Sequence, residues 1–580
     1  MRIALIEEGI KIKSSEFDKV ISFSEDSYVN VSDYLDLNDF NEIYDTVYSN
    51  LYLWIDRQSN KKSFVYLGTD ILKAYGKELF DFLMNVCQKE YVVRKVIERE
   101  SPAELWIIKN DRGDGIRHPN LDFFISDFIP SGISLKYFEQ NQKENLGAVS
   151  LRGGQSHLLR ISDLARNLLN NLRRSGKSNI LIFSDLNKIP VLLESLNGRD
   201  VIFLREKIPL RLMPYLMKKG VNLKLLSDFR VSVDQKENIG VQVNNFTDRL
   251  NSSTERIIIG SGDFTPYIKK YLTSVWRKEL RHSLESILQA HILFKKYRIS
   301  SLLVDEDRSK LNNLLVQVAS QYKCKSYVNG HGDPFHKIGV LPLSADYMFV
   351  WGKAQKELLN EWGLEEGKIL ITGCSKYDKY LHTSSALIKK TICSDLKLSL
   401  SKPIVLIATC PLKTGRNIWK HIAWSKLEEI LTAVDKIMGV QTIIKLHPGD
   451  NIELQVHKLL NRLNLNKIRV IKDYDSLSLA KGVDILITYR STFAIDGLAY
   501  QKPVILTDEY TMDKYETVNI FYDGTTQDKL ADVLDSILNG LARRHIERWR
   551  AAANYCLNGM DKVASKDIAS ILTVPSAMDN

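Results

Sequence analysis

Short runs of Ile, Leu, Val and aromatic residues recur along the last two thirds of the chain, and each stops at polar or glycine-containing residues. Runs of this length, bounded by turn formers, read as buried strands rather than helices. One series comprises Asn179–Phe183, Val201–Leu204, Ser301–Val304, Ser326–Val328 and Tyr347–Val350, with helices predicted over 265–297 and 309–321. After a break at Trp351-Gly352 a second series follows: Ile369–Thr372, Ile404–Ala408, Thr442–Leu446, Ile468–Lys472, Ile485–Thr488 and Val504–Leu506. The tail from about 526 reads as helical. Strands alternating with helices imply parallel, doubly wound sheets.

The first 175 residues are less regular. Strands are expected at Arg2–Ile6, Lys19–Phe23, Ser63–Leu67 and Glu104–Ile108, with a helix over Ile71–Gln88. The polar stretch from Asn110 to Pro119 reads as a surface turn, and Leu151–His157 as a linker ahead of an amphipathic helix on Leu158, Leu159, Ile161, Leu164, Leu168 and Leu169. The expected class is therefore α/β: two Rossmann-like doubly wound domains, 176–351 and 352–580, facing a cleft, preceded by an N-terminal α/β module, 1–175.

Composition narrows the functional classes. Hydrophobic residues make up 44% and charged residues 26% of the 580 positions, ordinary for a globular protein. No apolar run approaches the ~18 residues of a membrane-spanning helix. The start, Met1-Arg2-Ile3-Ala4-Leu5-Ile6-Glu7-Glu8, lacks the pattern of a secretory signal, so a cytoplasmic protein is expected. Six scattered cysteines with no C-x-x-C pair argue for reduced thiols and against a zinc site. The net charge of +10 is mild for this length, and no stripe of Lys/Arg is interleaved with aromatics. No nucleic-acid partner is expected.

Candidate chemistry gathers at strand ends, where open parallel sheets bind ligands. His331, between Gly330 and Gly332, follows one strand and is placed to act as a general base on a hydroxyl. His447-Pro448 ends a strand of the second domain, where an imidazole can donate to a phosphate oxygen; Lys445 shares its face two residues earlier. Ser491 and Thr492 open a helix, where hydroxyls and free N–H groups suit phosphate. Asp496, one turn later, is placed to accept from a ribose hydroxyl. Thr409 ends another strand and is a candidate contact to the base or ribose. Gly373, in Thr372-Gly373-Cys374-Ser375-Lys376, permits a tight turn and is grouped with the phosphate-binding residues. Glu7 reads as a turn residue rather than a base. Asp305-Glu306-Asp307 and Asp473-Tyr474-Asp475 have D-x-D spacing, but no metal is expected. No G-x-x-x-x-G-K-[ST] loop and no G-x-G-x-x-G after a strand is present, which leaves P-loop hydrolysis and dinucleotide redox chemistry unsupported.

Taken in order, Asn329-Gly330-His331-Gly332, Ala345-Asp346 through Trp351-Gly352, Lys368 to Gly373, Lys445-Leu446-His447-Pro448, and Ser491-Thr492 with Gly497 and Lys502-Pro503-Val504 resemble a known set. They are similar to bacterial surface-polysaccharide transferases of the GT-B fold. That set includes the CDP-glycerol glycerophosphotransferases of teichoic acid synthesis, capsule Kdo transferases and bacterial sialyltransferases. The likeness covers roughly 300–510, and Gly330 stands where the pattern has Gln. It implies a metal-independent transferase with no cofactor. His331 would be the base, His447 the phosphate-binding group, and Ser491 and Thr492 the clamp on the nucleotide phosphates. The expected reaction moves a sugar from a CMP-, CDP- or UDP-linked donor to a glycan or lipid-linked glycan acceptor. A glycerophosphate transfer and an inactive scaffold are the alternatives. The basic tail, with Arg543, Arg544, Arg548 and Arg550, is a candidate for peripheral contact with the inner face of the membrane.

Overall fold

Strands that are apolar on both faces need helices on both sides, and crossover helices leave consecutive strands parallel. The computed structural model describes residues 1–7, 12, 14–23, 29–108, 119–138, 179–184, 190–196, 200–206, 213–260, 262–330, 332–410, 419–540, 546–559 and 562–574. The chain forms two compact units, Met1–Met348 with Ile568–Asn580, and Phe349–Asp567.

The first unit holds two sheets. The N-terminal sheet has the order Val29–Asn30, Lys19–Ser22, Arg2–Ile6, Glu104–Ile108, Ser134–Phe138, and every pair is parallel. Glu7, at the end of the central strand, accepts from Leu121 N–H at 2.9 Å and pairs with Lys89, so it is a buried, paired acid rather than the turn residue expected. The second sheet runs Asn222–Leu225, Val201–Arg205, Asn179–Phe183, Ile299–Val304, Lys325–Asn329, Tyr347–Val350, Ile369–Ile371; the sequence pattern places Ile369–Thr372 in the second series instead. Counted along the chain, that is third, second, first, fourth, fifth, sixth, seventh: the doubly wound order, with its switch point between the first and fourth strands. The modules expected at 1–175 and 176–351 thus keep separate sheets but share one unit. Their helices join them: Ile71–Glu100 packs on Lys310–Gln321, and Gln317 Oε1 accepts from Asp70 N–H at 2.7 Å. The same unit takes in the far end of the chain, where Ile568 and Leu572 are fully buried and Ser301 Oγ donates to Leu572 O at 2.9 Å.

Several elements differ from expectation. Helix Leu37–Asn60 was not anticipated; it starts at a reciprocal box in which Asp36 accepts from Asp39 N–H and Asp39 from Asp36 N–H. The run at Ser63–Leu67 yields only Val65–Tyr66, paired antiparallel with Thr69–Asp70, because Leu67 (φ 46°) and Gly68 (φ 76°) turn the chain back on itself. The following helix continues well beyond Gln88, to Glu100. The stretches 109–118 and 151–157 and the amphipathic segment after them lie outside the described residues.

In the second unit the sheet order is Arg469–Ile471, Gln441–Lys445, Ile404–Ala408, Ile485–Thr488, Val504–Leu506, Tyr522–Asp523, all parallel. The order of appearance is again third, second, first, fourth, fifth, sixth. Alternate residues of the central strand feed opposite cores: Ile404, Leu406 and Ala408 one, Val405 and Ile407 the other. Two glycines fix how close the helices come. A Cβ at Gly497 would lie 2.5 Å from Val504 Cγ2, so helix Phe493–Ala499 sits directly on the sheet. A Cβ at Gly352 would lie 2.3 Å from the backbone carbon of Cys556. Helix Ile546–Leu557 therefore docks against bare backbone, with Trp549, Ala552, Ala553 and Cys556 buried and Arg548 and Arg550 exposed. Arg543 and Arg544 lie outside the described residues.

Candidate active site

The switch point of the second unit falls between Ile404–Ala408 and Ile485–Thr488, so the residues just beyond these strands and their neighbour Gln441–Lys445 form the mouth of the sheet. Thr409, Lys445, His447, Ser491 and Thr492 all emerge there. Thr409 holds the mouth together. Its N–H donates to Lys445 O at 3.1 Å, and its hydroxyl accepts from His447 N–H at 3.2 Å. The imidazole of His447 is oriented in turn: Gly449 N–H donates to Nδ1 at 3.2 Å. A backbone N–H can only donate, so Nδ1 carries no proton and the neutral ring presents Nε2–H. Loss of hydration lowers the His447 pKa from its ordinary 6.5, with Lys445 pushing the same way and Asp450 opposing.

Lys445 is buried, and its ammonium donates to Leu446 O at 2.9 Å. Burial lowers its pKa; Asp473 works against that shift. Ser491 Oγ accepts from Phe493 N–H at 3.3 Å, while Thr492 caps the helix with backbone only, which leaves its hydroxyl out of the cap. Between them and the strand stands Arg490, in left-handed backbone (φ 43°), with its guanidinium 5.1 Å from the Tyr510 ring centre and its N–H on Asp508 at 3.1 Å. Sequence reading gave Arg490 no role; its position after a strand and before Ser-Thr was the available signal.

Asp496 is on the expected helix, buried, and already engaged. Lys376 Nζ and Tyr377 Oη reach the same oxygen, Oδ1, at 2.6 and 2.7 Å. Lys376 also lies over the Trp351 ring at 4.6 Å. Gly373 (φ 82°) makes the turn that delivers Lys376, and a Cβ there would meet Ala564 Cβ at 3.2 Å. The motif pieces around 351, 373–377 and 496 are thus one cluster in the second unit.

In the first unit, strands Ile299–Val304 and Lys325–Asn329 end at a cavity of about 260 Å³. Gly330 and Gly332 line it; His331 between them lies outside the described residues. The acids beside it are structural. Asp307 is buried and accepts from Ala345 N–H at 2.8 Å and from Ser344 N–H. Burial pushes its carboxyl up to about 6 against the pull of Arg308. Glu306 accepts from Arg308 N–H at 2.6 Å and Ser309 N–H at 2.7 Å, and Asp305 accepts from Ser184. In the second unit, the other D-x-D pair is structural at Asp475, which caps the helix Ser476–Gly482 through Ser478 N–H at 2.8 Å. Arg308 anchors the cavity wall, donating to Pro342 O at 2.8 Å and to the hydroxyl of Tyr52, while Tyr44 Oη accepts from Ile338 N–H at 2.8 Å. The unanticipated helix Leu37–Asn60 therefore supports the loop that follows His331.

The two units thus carry, each at its own strand ends, the mouth around His447 and the cavity lined by Gly330 and Gly332. Residues 335–550 match the family model of CDP-Glycerol:Poly(glycerophosphate) glycerophosphotransferase. The resemblance expected from the sequence motifs thus extends to this family over the matched segment, a little over a third of the chain. That segment includes Gly373, Thr409, Lys445, His447, Ser491, Thr492 and Asp496, and it begins four residues after His331. No curated protein sequence matches the chain. Among solved structures, UDP-GlcNAc 2-epimerase from Neisseria meningitidis bound to UDP-GlcNAc is similar at 12% identity and TM-score 0.43, over 68% of this chain and 99% of that one. A putative UDP-N-acetylglucosamine 2-epimerase from Listeria monocytogenes is similar at 13% and 0.44, over 68% and 95%. The wall teichoic acid polymerase TagF, a variant soaked with CDPG, is similar at 13% and 0.40, over 72% and 93%.

Proposed function

We propose that the protein transfers glycerol phosphate from CDP-glycerol to a hydroxyl of a growing cell-envelope polymer. The observation that carries this reading is the glycerophosphotransferase family match, which spans the whole switch-point site around His447. In this reaction the acceptor oxygen forms a bond to the glycerol-bearing phosphorus, the P–O bond to CMP breaks, and the acceptor proton passes to His331 as general base. CMP leaves with added negative charge on its phosphate. Nε2–H of His447 donates to it, and Lys445, Ser491 and Thr492 complete the phosphate contacts. Both contacts on Asp496 fall on Oδ1, which leaves Oδ2 for a ribose hydroxyl. Thr409 serves chiefly by holding the His447 turn. The acceptor is a glycan or lipid-linked glycan, and the protein works at the inner face of the membrane. No helix of the described residues is long and apolar enough to cross a membrane; the exposed Arg548 and Arg550 suit peripheral contact with an anionic surface.

The test is release of CMP from CDP-glycerol in the presence of a polymer acceptor. His331→Ala and His447→Ala should each lower turnover by about 10²–10⁴-fold, the usual worth of a proton-transfer or charge-stabilising group. Turnover unchanged in both variants, or no release from CDP-glycerol, would refute the assignment. Transfer of a sugar is the second reading, since the fold also suits sugar nucleotides. Release of UDP or CMP from a nucleotide sugar, with CDP-glycerol inert, would select it.

A further inference from the structure

Another cavity is lined by none of the residues assigned to this chemistry. It lies in the first unit, outside the segment matched by the family model, and measures about 590 Å³, within the range of small-ligand sites. Helix Leu37–Asn60 contributes Glu42, helix Ile71–Glu100 contributes Glu90 and Arg94, the turn at Ile125–Phe128 contributes Asp127 and Phe128, and the start of helix Thr265–Lys296 contributes Tyr267. It shares no residue with the cavity beside Gly330.

Two features define what fits. First, one wall is aromatic and rigid: Phe128 packs 6.0 Å from Tyr267 and 5.6 Å from Phe264, centre to centre. Interlocked rings offer flat apolar faces that need no rearrangement. Second, the polar groups are mostly carboxylates already held in place. Asp127 accepts from the Tyr267 hydroxyl, Glu90 faces Arg94 at 3.5 Å, and Asp263 accepts from Arg256 Nε at 2.8 Å and Thr265 N–H at 3.0 Å. Glu42 stands exposed at the rim. Fixed carboxylates with spare lone pairs accept from vicinal hydroxyls. Among the described lining residues, four acids against one guanidinium, Arg94, repel phosphate, in a protein whose overall charge is +10. Because Arg94, Arg256 and Tyr267 already satisfy three of the acids, a free polyamine gains little there.

We propose that this cavity binds one or two uncharged sugar rings, as a glycan-holding site separate from the catalytic residues. A ring face would stack on the half-buried Phe128, backed by the buried Tyr267 and Phe264, and hydroxyls would donate to Asp127 and Glu42. The proposal stands independently of which group is transferred.

The experiment is saturation-transfer NMR with isothermal titration on the full chain. The probes are N,N′-diacetylchitobiose and maltose, with glycerol 3-phosphate and spermidine as counter-probes. At least one disaccharide should bind, and Phe128→Ala and Glu42→Gln should each weaken it, the former by about ten-fold, one aromatic contact's worth. Glu42 is exposed on a helix, so its variant keeps the fold, and thermal protection by CDP should be unchanged in both. Neither disaccharide binding, binding unaffected by both variants, or spermidine or glycerol 3-phosphate binding in place of the sugars would each overturn the proposal. Loss of CDP protection in the unsubstituted protein would count against the donor assignment alone.

Discussion

Replacing Asp496 with Asn separates a structural acid from a ligand-binding one. The carboxylate is 7% exposed and takes Lys376 Nζ at 2.6 Å; Lys376 is 20% exposed. Breaking a buried ion pair by removing one partner costs about 3–5 kcal/mol, because the other charge is left uncompensated. Lys376 keeps some water and two ring faces, Trp351 at 4.6 Å and Tyr377 at 4.9 Å, which together offset part of that loss. A destabilisation of about 2 kcal/mol is expected. For a unit of this size that lowers Tm by roughly 4–8 °C. The assay is calorimetry of the full chain, following the transition that CDP raises. Adding Lys376→Met removes the stranded cation and should restore most of the loss, so the double variant lies well above the sum of the singles. If Asp496→Asn shifts Tm by less than about 1 °C, or if the two changes simply add, the pair is not the buried clamp drawn here. A CDP affinity reduced by about ten-fold, measured where the variant is fully folded, would place a ribose on Oδ2; unchanged affinity would confine Asp496 to structure.

Lys445→Met should leave stability within about 1 kcal/mol, since burying a cation is costly and Met matches its volume, yet weaken CDP by about ten-fold in titration calorimetry. His447, with its pKa held below 6.5, favours the fold while neutral; that contribution is present above 6.5 and lost as pH falls through the lowered value. A bound phosphate raises the same pKa, so CDP binding should take up a proton as pH falls below 6.5, seen as a buffer-dependent binding enthalpy that vanishes in His447→Gln. Gly352→Ala should destabilise the second unit by about 3 kcal/mol in thermal unfolding, because its Cβ meets helix backbone that cannot rotate away. Gly367→Ala, with nothing within 4 Å, is the neutral control.

The doubly wound sheets were legible because each core strand is apolar on both faces, as Ile404–Ala408 shows by serving two cores at once. Helix Leu37–Asn60 did carry a legible signal: Phe40, Ile43, Tyr44, Val47, Leu51, Trp54 and Ile55 recur at helical spacing and are all buried, and the expectation for the N-terminal region passed over it. Helix Val233–Ser252 buries only Ile239, Phe246 and Leu250, too sparse a stripe to stand out. At the candidate site, strand ends located His447, Lys445, Ser491 and Thr492. Partners were out of reach: Lys376 and Asp496 are 120 positions apart, and nothing local says that they pair. Likewise Thr409 reads as a ligand contact until its bonds to the His447 turn are seen.

The burial of Ile568 and Leu572 in the first unit bears on how the protein is made. A ribosome will have released all of Met1–Met348 long before the segment that closes that unit exists. The early product therefore waits with an open seam while the intervening Phe349–Asp567 is synthesised. A nonsense codon placed after residue 567 would spare every residue of the second unit and still leave the first one unsealed, a prey for proteases rather than a shorter enzyme.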